Sequence, residues 1–390
     1  MSSKKIVHSL LLAAVFASVS LFLGCSSNNQ YDDGKMRKDM TAAEYAEEMG
    51  LGINLGNTLE AYWADPENKY SGSMIIGENT AANYETCWGA VITTQEAITG
   101  MKNAGFDTVR IPVYWGNAME SNGEFVIAEQ ILDRVEEVIN YCRNADLYAV
   151  INIHHYDEFI VKNYGMDEAL QITQKLWTQI AERYRDYSDY LVFEGFNENL
   201  GTVRDGDMLT EAETFEYVNR MNQAFVDAVR ATGGNNAERL LIASGYWTNI
   251  DKTTDPRFIL PEDPATDRMM VSVHYPDNAM YWANSIGNQR WLDYTKAQCE
   301  LLKESFTDRG IPVFLGECTS IYQADRMAAD ALYTDSTACL EQMYEMMLDY
   351  DFVPVLWDVN DNFYSRTECR IKSDSDKALI ETLSARLKAA

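Results

Sequence analysis

The chain has 390 residues, enough for one large domain or two ordinary ones, with a formal net charge of −28 and 12% aromatic residues. So acidic a balance excludes a nucleic-acid partner, which would need a basic face. It suits an exported protein that stays soluble and binds a neutral ligand.

The first stretch reads as a targeting segment. Lys4 and Lys5 precede an apolar run from about Leu10 to Leu23, followed by Gly24-Cys25 and the polar residues 26–29. A charged start and a short apolar core predict a secretory signal over residues 1–24. The Leu-Gly-Cys ending resembles a bacterial lipoprotein signal. That resemblance implies cleavage before Cys25 and a lipid on that cysteine, anchoring an exported protein at the cell envelope or surface. No other apolar run is long enough to span a bilayer, so membrane contact is expected only through that anchor. Residues 25–40 read as a flexible polar tether, and residues 41–390 as one domain. Six cysteines remain after Cys25, without metal-ligand spacing; Cys142, on the apolar face of a helical pattern, reads as a core residue.

The domain repeats one pattern. Gly50 to Asn57 reads as a short strand running into a turn, and Thr93-Thr94-Gln95-Glu96 is a capping-box start for a helix that Gly105 ends. The strand Thr108–Val113 follows, then a helix from Ala128 to Asn144 and the strand Leu147–Ile153, which ends in His154-His155. A helix from about Asp167 to Asp186 leads to the apolar run at Leu191, which ends in Asn197-Glu198. A helix around Glu211 to Ala231 leads to Leu240–Ala243, and a loop without a convincing helix leads to Met269–Val273, capped by His274-Tyr275. A helix from about Trp291 to Thr307 leads to the run Ile311–Gly316, which ends in Glu317. A helix from about Ala324 to Asp349 leads to Phe352–Leu356, capped by Trp357-Asp358, and a helix near Lys377 to Lys388 closes the chain.

Eight strands alternating with helical patterns predict an α/β fold, a closed (β/α)8 TIM barrel of one domain. An open doubly wound sheet is the alternative, but no G-x-G-x-x-G follows the first strand and there is no P-loop. In a barrel the strand ends converge, so their residues form a set: Asn54, Arg110, His154 with His155, Asn197 with Glu198, His274 with Tyr275, Glu317, and Trp357 with Asp358. Of the chain's four histidines, the three outside the signal all lie at strand ends.

A metal site is the first rival reading. Adjacent histidines on an extended segment point to opposite faces, and no H-E-x-x-H spacing is present. Ser-His-Asp chemistry lacks its G-x-S-x-G elbow. Paired carboxylates remain, one as nucleophile and one as proton donor, with no metal and no cofactor. Glu194, inside its strand four residues before Glu198, reads instead as a buried, paired structural carboxylate. Arg110 is placed to keep a nucleophile ionised, Asn197 to donate to a sugar hydroxyl, and Trp357 to stack on a ring. Trp63, Trp88, Trp115, Trp247 and Trp282 lie in loops or near strand ends with faces that suit a sugar, whereas Trp177 reads as core.

These stretches, in order, resemble glycoside hydrolase family 5, the retaining cellulase and endoglucanase family. They are Gly52–Thr58, Val109–Val113, Ile151–His155, Phe193–Glu198, Val271–Tyr275, Pro312–Glu317 and Leu356–Asp358. The resemblance implies that Glu198 is the acid/base and Glu317 the nucleophile. It implies that Arg110, His154, Asn197 and His274 line the cleavage subsite, with His155 supporting them and Trp357 as stacking platform. The family usually carries a Tyr two residues after the sixth-strand histidine, where this chain has Pro276. That leaves Tyr275 or Tyr281 to bond the nucleophile. Asn199 stands where the family has proline, and the Gly after Trp-Asp-Asn is absent. The reading that follows is a monomeric endo-β-1,4-glucanase acting on cellulose-like or mixed-linkage β-glucan. Xyloglucanase or mannanase activity by the same mechanism, or a non-catalytic glycan-binding surface lipoprotein, is the alternative.

Overall fold

The computed structural model describes residues 32–200, 208–275, 286–319, 327–359 and 361–389. The expected signal and the Cys25 anchor, together with Pro276, Tyr281 and Trp282, lie outside them. Eight parallel strands close a barrel in chain order. They are β1 (Gly52–Asn54), β2 (Thr108–Ile111), β3 (Tyr148–Ile151), β4 (Leu191–Glu194), β5 (Leu241–Ser244), β6 (Met269–Tyr275), β7 (Val313–Thr319) and β8 (Val353–Trp357), and β1 pairs with β8 to complete it.

Alternation along each strand sorts side chains into two layers. Outward residues such as Ile53, Val109, Ala149, Phe193, Val271 and Leu315 pack under the helices in the larger core. Inward residues fill the barrel: Val150, Val192, Ile242, Met270, Phe314, Val353 and Val355 form its apolar floor. One step further along the strands the inward positions become polar, at Asn54, Arg110, Asn152, Glu194 and Ser272, and all five are fully buried. The site therefore rests on a polar deck over an apolar plug.

A helix not expected from the sequence closes the floor. α1 (Ala42–Met49) places Tyr45, Ala46 and Met49 against the inward apolar layer. Its start carries a capping box, Thr41 with Glu44, which is a readable signal. The segment before it is no flexible tether from residue 32 onward. Asp32 accepts from Ser188 N at 2.8 Å and Ser188 Oγ at 2.7 Å, while Asp189 accepts from Arg37 Nε at 2.9 Å and Tyr45 Oη at 2.7 Å. Charge-assisted bonds at these buried carboxylates hold residues 32–37 to the barrel.

The expected helices are present as α3 (Gln95–Ala104), α4 (Glu129–Asn144), α6 (Met166–Arg183), α7 (Glu211–Ala231), α9 (Gln289–Ser305), α10 (Ser336–Asp349) and α11 (Asp374–Ala389). α3 starts on its Thr94 cap and stops at Gly105, whose φ of 111° takes the left-handed form expected there. α10 begins later than Ala324, because the Asp335 side chain caps it by accepting from Ala338 N. The β5–β6 connection holds only the single turn α8 (Ile250–Thr253) and a short 3-10 turn before it. Two further short helices, α2 (Ala81–Thr86) and α5 (Tyr156–Asn163), and a small hairpin of β9 (Tyr364–Ser365) and β10 (Arg370–Ile371), were not expected. Among the described residues no helix is long and apolar enough to cross a membrane, and the six cysteines after Cys25 are unpaired.

Candidate active site

Glu198 and Glu317 approach each other at the carboxyl ends of β4 and β7. A carboxylate oxygen of each, together with a ring nitrogen of His274, lies within 4.8 Å of the other two. His274 Nδ1 is 3.2 Å from Glu198 Oε1 and 3.7 Å from Glu317 Oε2, so the imidazole sits between the two acids. Register shifts between Val273 and His274 and between Leu315 and Cys318 re-aim these strand ends, as bulges beside reacting groups commonly do. Gly316 sits in a tight place: a Cβ there would lie 3.0 Å from Ser272 Oγ and 3.1 Å from Glu194 Oε1, so both side chains would have to give.

Arg110 organises the deck below. Its Nε donates to Glu194 at 2.7 Å, Nη1 to Asn54 Oδ1 at 3.0 Å and Glu317 Oε1 at 3.1 Å, and Nη2 to Asn197 Oδ1 at 2.8 Å. Glu194 also accepts from Asn152 Nδ2 at 3.0 Å and Ser272 Oγ at 2.7 Å, so it is the buried, paired structural carboxylate that the sequence suggested. Burial pushes the Glu317 carboxyl above its usual range, and Glu198 adds to the rise, whereas His274 and Arg110 pull it back. Burial also drives His154 well below the ordinary histidine range, with neighbouring His155 adding to the fall, so its ring is neutral.

The remaining strand-end residues divide. Trp357, half-buried, stacks nearly parallel to His154 with ring centres 6.1 Å apart. Asn197 has its side-chain oxygen committed to Arg110, so its amide nitrogen is the end left to donate elsewhere. His155 takes a left-handed φ of 62° and faces Tyr62 and Trp88 at about 6 Å. It lines a side pocket of about 300 Å³ with Tyr62, Tyr114, Glu158, Phe159 and Lys162.

Four expectations need correction. Asn54 and Arg110 have no exposed surface, and Asn54 Nδ2 is spent on Gly316 O at 2.8 Å, so both support the site from beneath and do not contact a ligand. Tyr275 follows His274 by one residue and therefore points outward, into the core, where its hydroxyl pairs with Thr295. Trp115 is fully buried and donates to Asn152 O at 2.8 Å, so it offers no face to a sugar. Asp157, which the sequence did not single out, and Asn199, which stands where the family has proline, are both buried and bond backbone on either side of the Glu198 loop, Leu200 N and Trp247 N.

The three-atom cluster would also fit a cation by spacing alone. Arg110 places a fixed positive charge against Glu317, which disfavours a second cation there and suits a carboxylate that must stay ionised. The fold and this site define a (β/α)8 hydrolase built on two facing carboxylates.

Comparison with known proteins gives the family. Residues 72–363 match the model for cellulase, glycosyl hydrolase family 5, and the chain belongs to that family. It is a glycoside hydrolase. It is 33% identical over 338 residues to an endoglucanase A of Clostridium longisporum, covering 84% of this chain and 60% of that longer protein. It is 32% identical to an endoglucanase A of Paenibacillus barcinonensis, covering 89% of each. A solved broad-specificity endoglucanase from an uncultured bovine rumen ciliate superposes with a TM-score of 0.76 at 29% identity, covering 89% of this chain and 99% of that one.

Proposed function

We propose that this chain is a retaining endo-β-1,4-glucanase that cuts internal bonds of cellulose-like or mixed-linkage β-glucans. The observation that carries the reading is that one carboxylate oxygen of Glu198 lies within 4.8 Å of one of Glu317. Retaining enzymes hold their carboxyls about 5–5.5 Å apart, whereas inverting enzymes need about 6.5–9.5 Å to admit a water. Glu317 is the nucleophile, since Arg110 bonds it and favours the ionised form. Its oxygen attacks the anomeric carbon as Glu198 gives its proton to the departing glycosidic oxygen. Glu198 then takes a proton from the water that breaks the glycosyl ester and frees Glu317. Asn197 donates to a sugar hydroxyl and Trp357 stacks on the ring at the cleavage point.

The test is reducing-end release from soluble cellulose, mixed-linkage glucan, xyloglucan and mannan by wild type and Glu317→Gln. Release by the wild type that vanishes in the variant, with polymer binding kept, supports the reading, and the best polymer names the substrate. A wild type silent on all four but still binding one would replace it with a non-catalytic glycan-binding protein.

Export, a lipid at Cys25 and a monomeric state belong to the same proposal. Export and the lipid rest on the Lys4-Lys5 start, the apolar run and the Leu-Gly-Cys ending. Cys25→Ala should move the protein from the membrane fraction to the soluble one; retention in the membrane would count against the anchor.

A further inference from the structure

We infer that Asp157 is a positioning residue for the proton donor, holding Glu198 in place through a clasp on the backbone of Leu200. This rests on the reading of Glu198 as the acid/base. The Asp157 side chain sits in the first turn of α5, is 2% exposed and accepts from Leu200 N at 3.0 Å. Leu200 is fully buried with φ at 66°, a left-handed conformation that a leucine holds only where its surroundings enforce it.

Glu198 therefore lies between two fixed points. On one side Asn197 N donates to Ile153 O at 3.0 Å, and Asn197 Oδ1 accepts from Arg110. On the other, Leu200 N is tied to Asp157 and Asn199 Oδ1 accepts from Trp247 N at 3.0 Å. Trp247 is itself left-handed, at φ 47°, and so is His155, two residues before Asp157. Each of the three loops that flank the proton donor thus carries a left-handed non-glycine residue, and the Asp157 carboxylate ties two of those loops together. Without the clasp Leu200 can relax, and the Glu198 carboxyl loses the fixed approach that proton transfer needs.

The clasp needs an acceptor oxygen rather than a charge. Burial pushes the Asp157 carboxyl up to about 7, while the Leu200 N–H pulls it back, and either protonation form keeps an acceptor. Asparagine should therefore rescue the function.

The experiment compares kcat/KM for β-glucan with kcat/KM for an aryl β-cellobioside bearing a dinitrophenolate leaving group, which departs without a proton. Asp157→Ala should lose about a hundredfold on glucan, the scale of a misplacement of about 1 Å, and only a few-fold on the activated substrate. Asp157→Asn should restore glucan hydrolysis to within a few-fold of wild type. Asp157→Ser, polar but too short to reach Leu200, should repeat the alanine pattern if alanine fails to fold. Equal losses on both substrates, or none on glucan, would overturn the inference. Glu198→Ala separates the two levels. If it shows no preference for the activated substrate, the acid/base reading fails; if it does while the Asp157 variants do not, only the clasp fails.

Discussion

The guanidinium of Arg110 holds Glu317 from below, Nη1 donating to Oε1 at 3.1 Å from a side chain with no exposed surface. The same group bonds Glu194, Asn54 and Asn197, so one cation acts on the charge of Glu317 and on the pose of Asn197 beside Glu198. Lysine offers a point charge and cannot reproduce this fork. Arg110→Lys should lower kcat/KM on glucan by about 10²–10³-fold, the usual effect of removing one preorganised donor. Burial already raises the Glu317 carboxyl and Arg110 pulls it down, so weakening the contact lets it rise further. The acid limb of the kcat/KM profile should then move to higher pH. A limb that stays put would separate Arg110 from the ionisation of Glu317.

Trp357 lies half-buried at the end of β8, parallel to His154 with ring centres 6.1 Å apart. Trp357→Ala should cost about tenfold in kcat/KM, or ~1.4 kcal/mol, through lost stacking. Initial rates over a range of soluble glucan concentrations check this, with the loss expected on every polymer the enzyme cleaves. An unchanged kcat/KM would move the stacking platform elsewhere.

Glu60 is fully buried and accepts from Thr58 N at 2.8 Å, and burial pushes its carboxyl from 4.5 up to about 7. Between those values the folded chain keeps a proton that the unfolded chain has released. Stability should therefore fall as pH rises through that window and level off above it, by about 3 kcal/mol for this group. Denaturant unfolding of Glu60→Gln at the two ends of the window should show a smaller difference than in wild type. The flattening will be partial, because Asp157 is pushed to about 7 in the same way. A slope equal to that of wild type would contradict the assignment.

The barrel was legible because buried parallel strands read as continuous apolar runs, and the runs ending at Glu198 and Glu317 show that plainly. The facing of the two carboxylates follows from those runs once the barrel closes. Periodicity says less about the two sides of one strand. Tyr275 and His274 look equivalent in sequence, and only the inward aim of His274 sends Tyr275 outward to Thr295. Burial depth was likewise out of reach, since Asn54 and Arg110 sit at strand ends yet end up sealed beneath the site. α1 was missed despite its capping box, because eight residues carry little periodic signal and the helix is held by the barrel floor. Asp157 gave no signal, for its partner is a backbone N–H of residue 200 on another loop.

The most direct test of the double displacement is to trap its intermediate. The wild-type protein would be incubated with a 2-deoxy-2-fluoro-β-cellobioside bearing a dinitrophenolate leaving group, then read by intact mass and peptide mapping. The account predicts one covalent glycosyl group, attached to Glu317, with activity lost in step with labelling. A label on another residue, or turnover of β-glucan with inversion at the anomeric carbon, would contradict it.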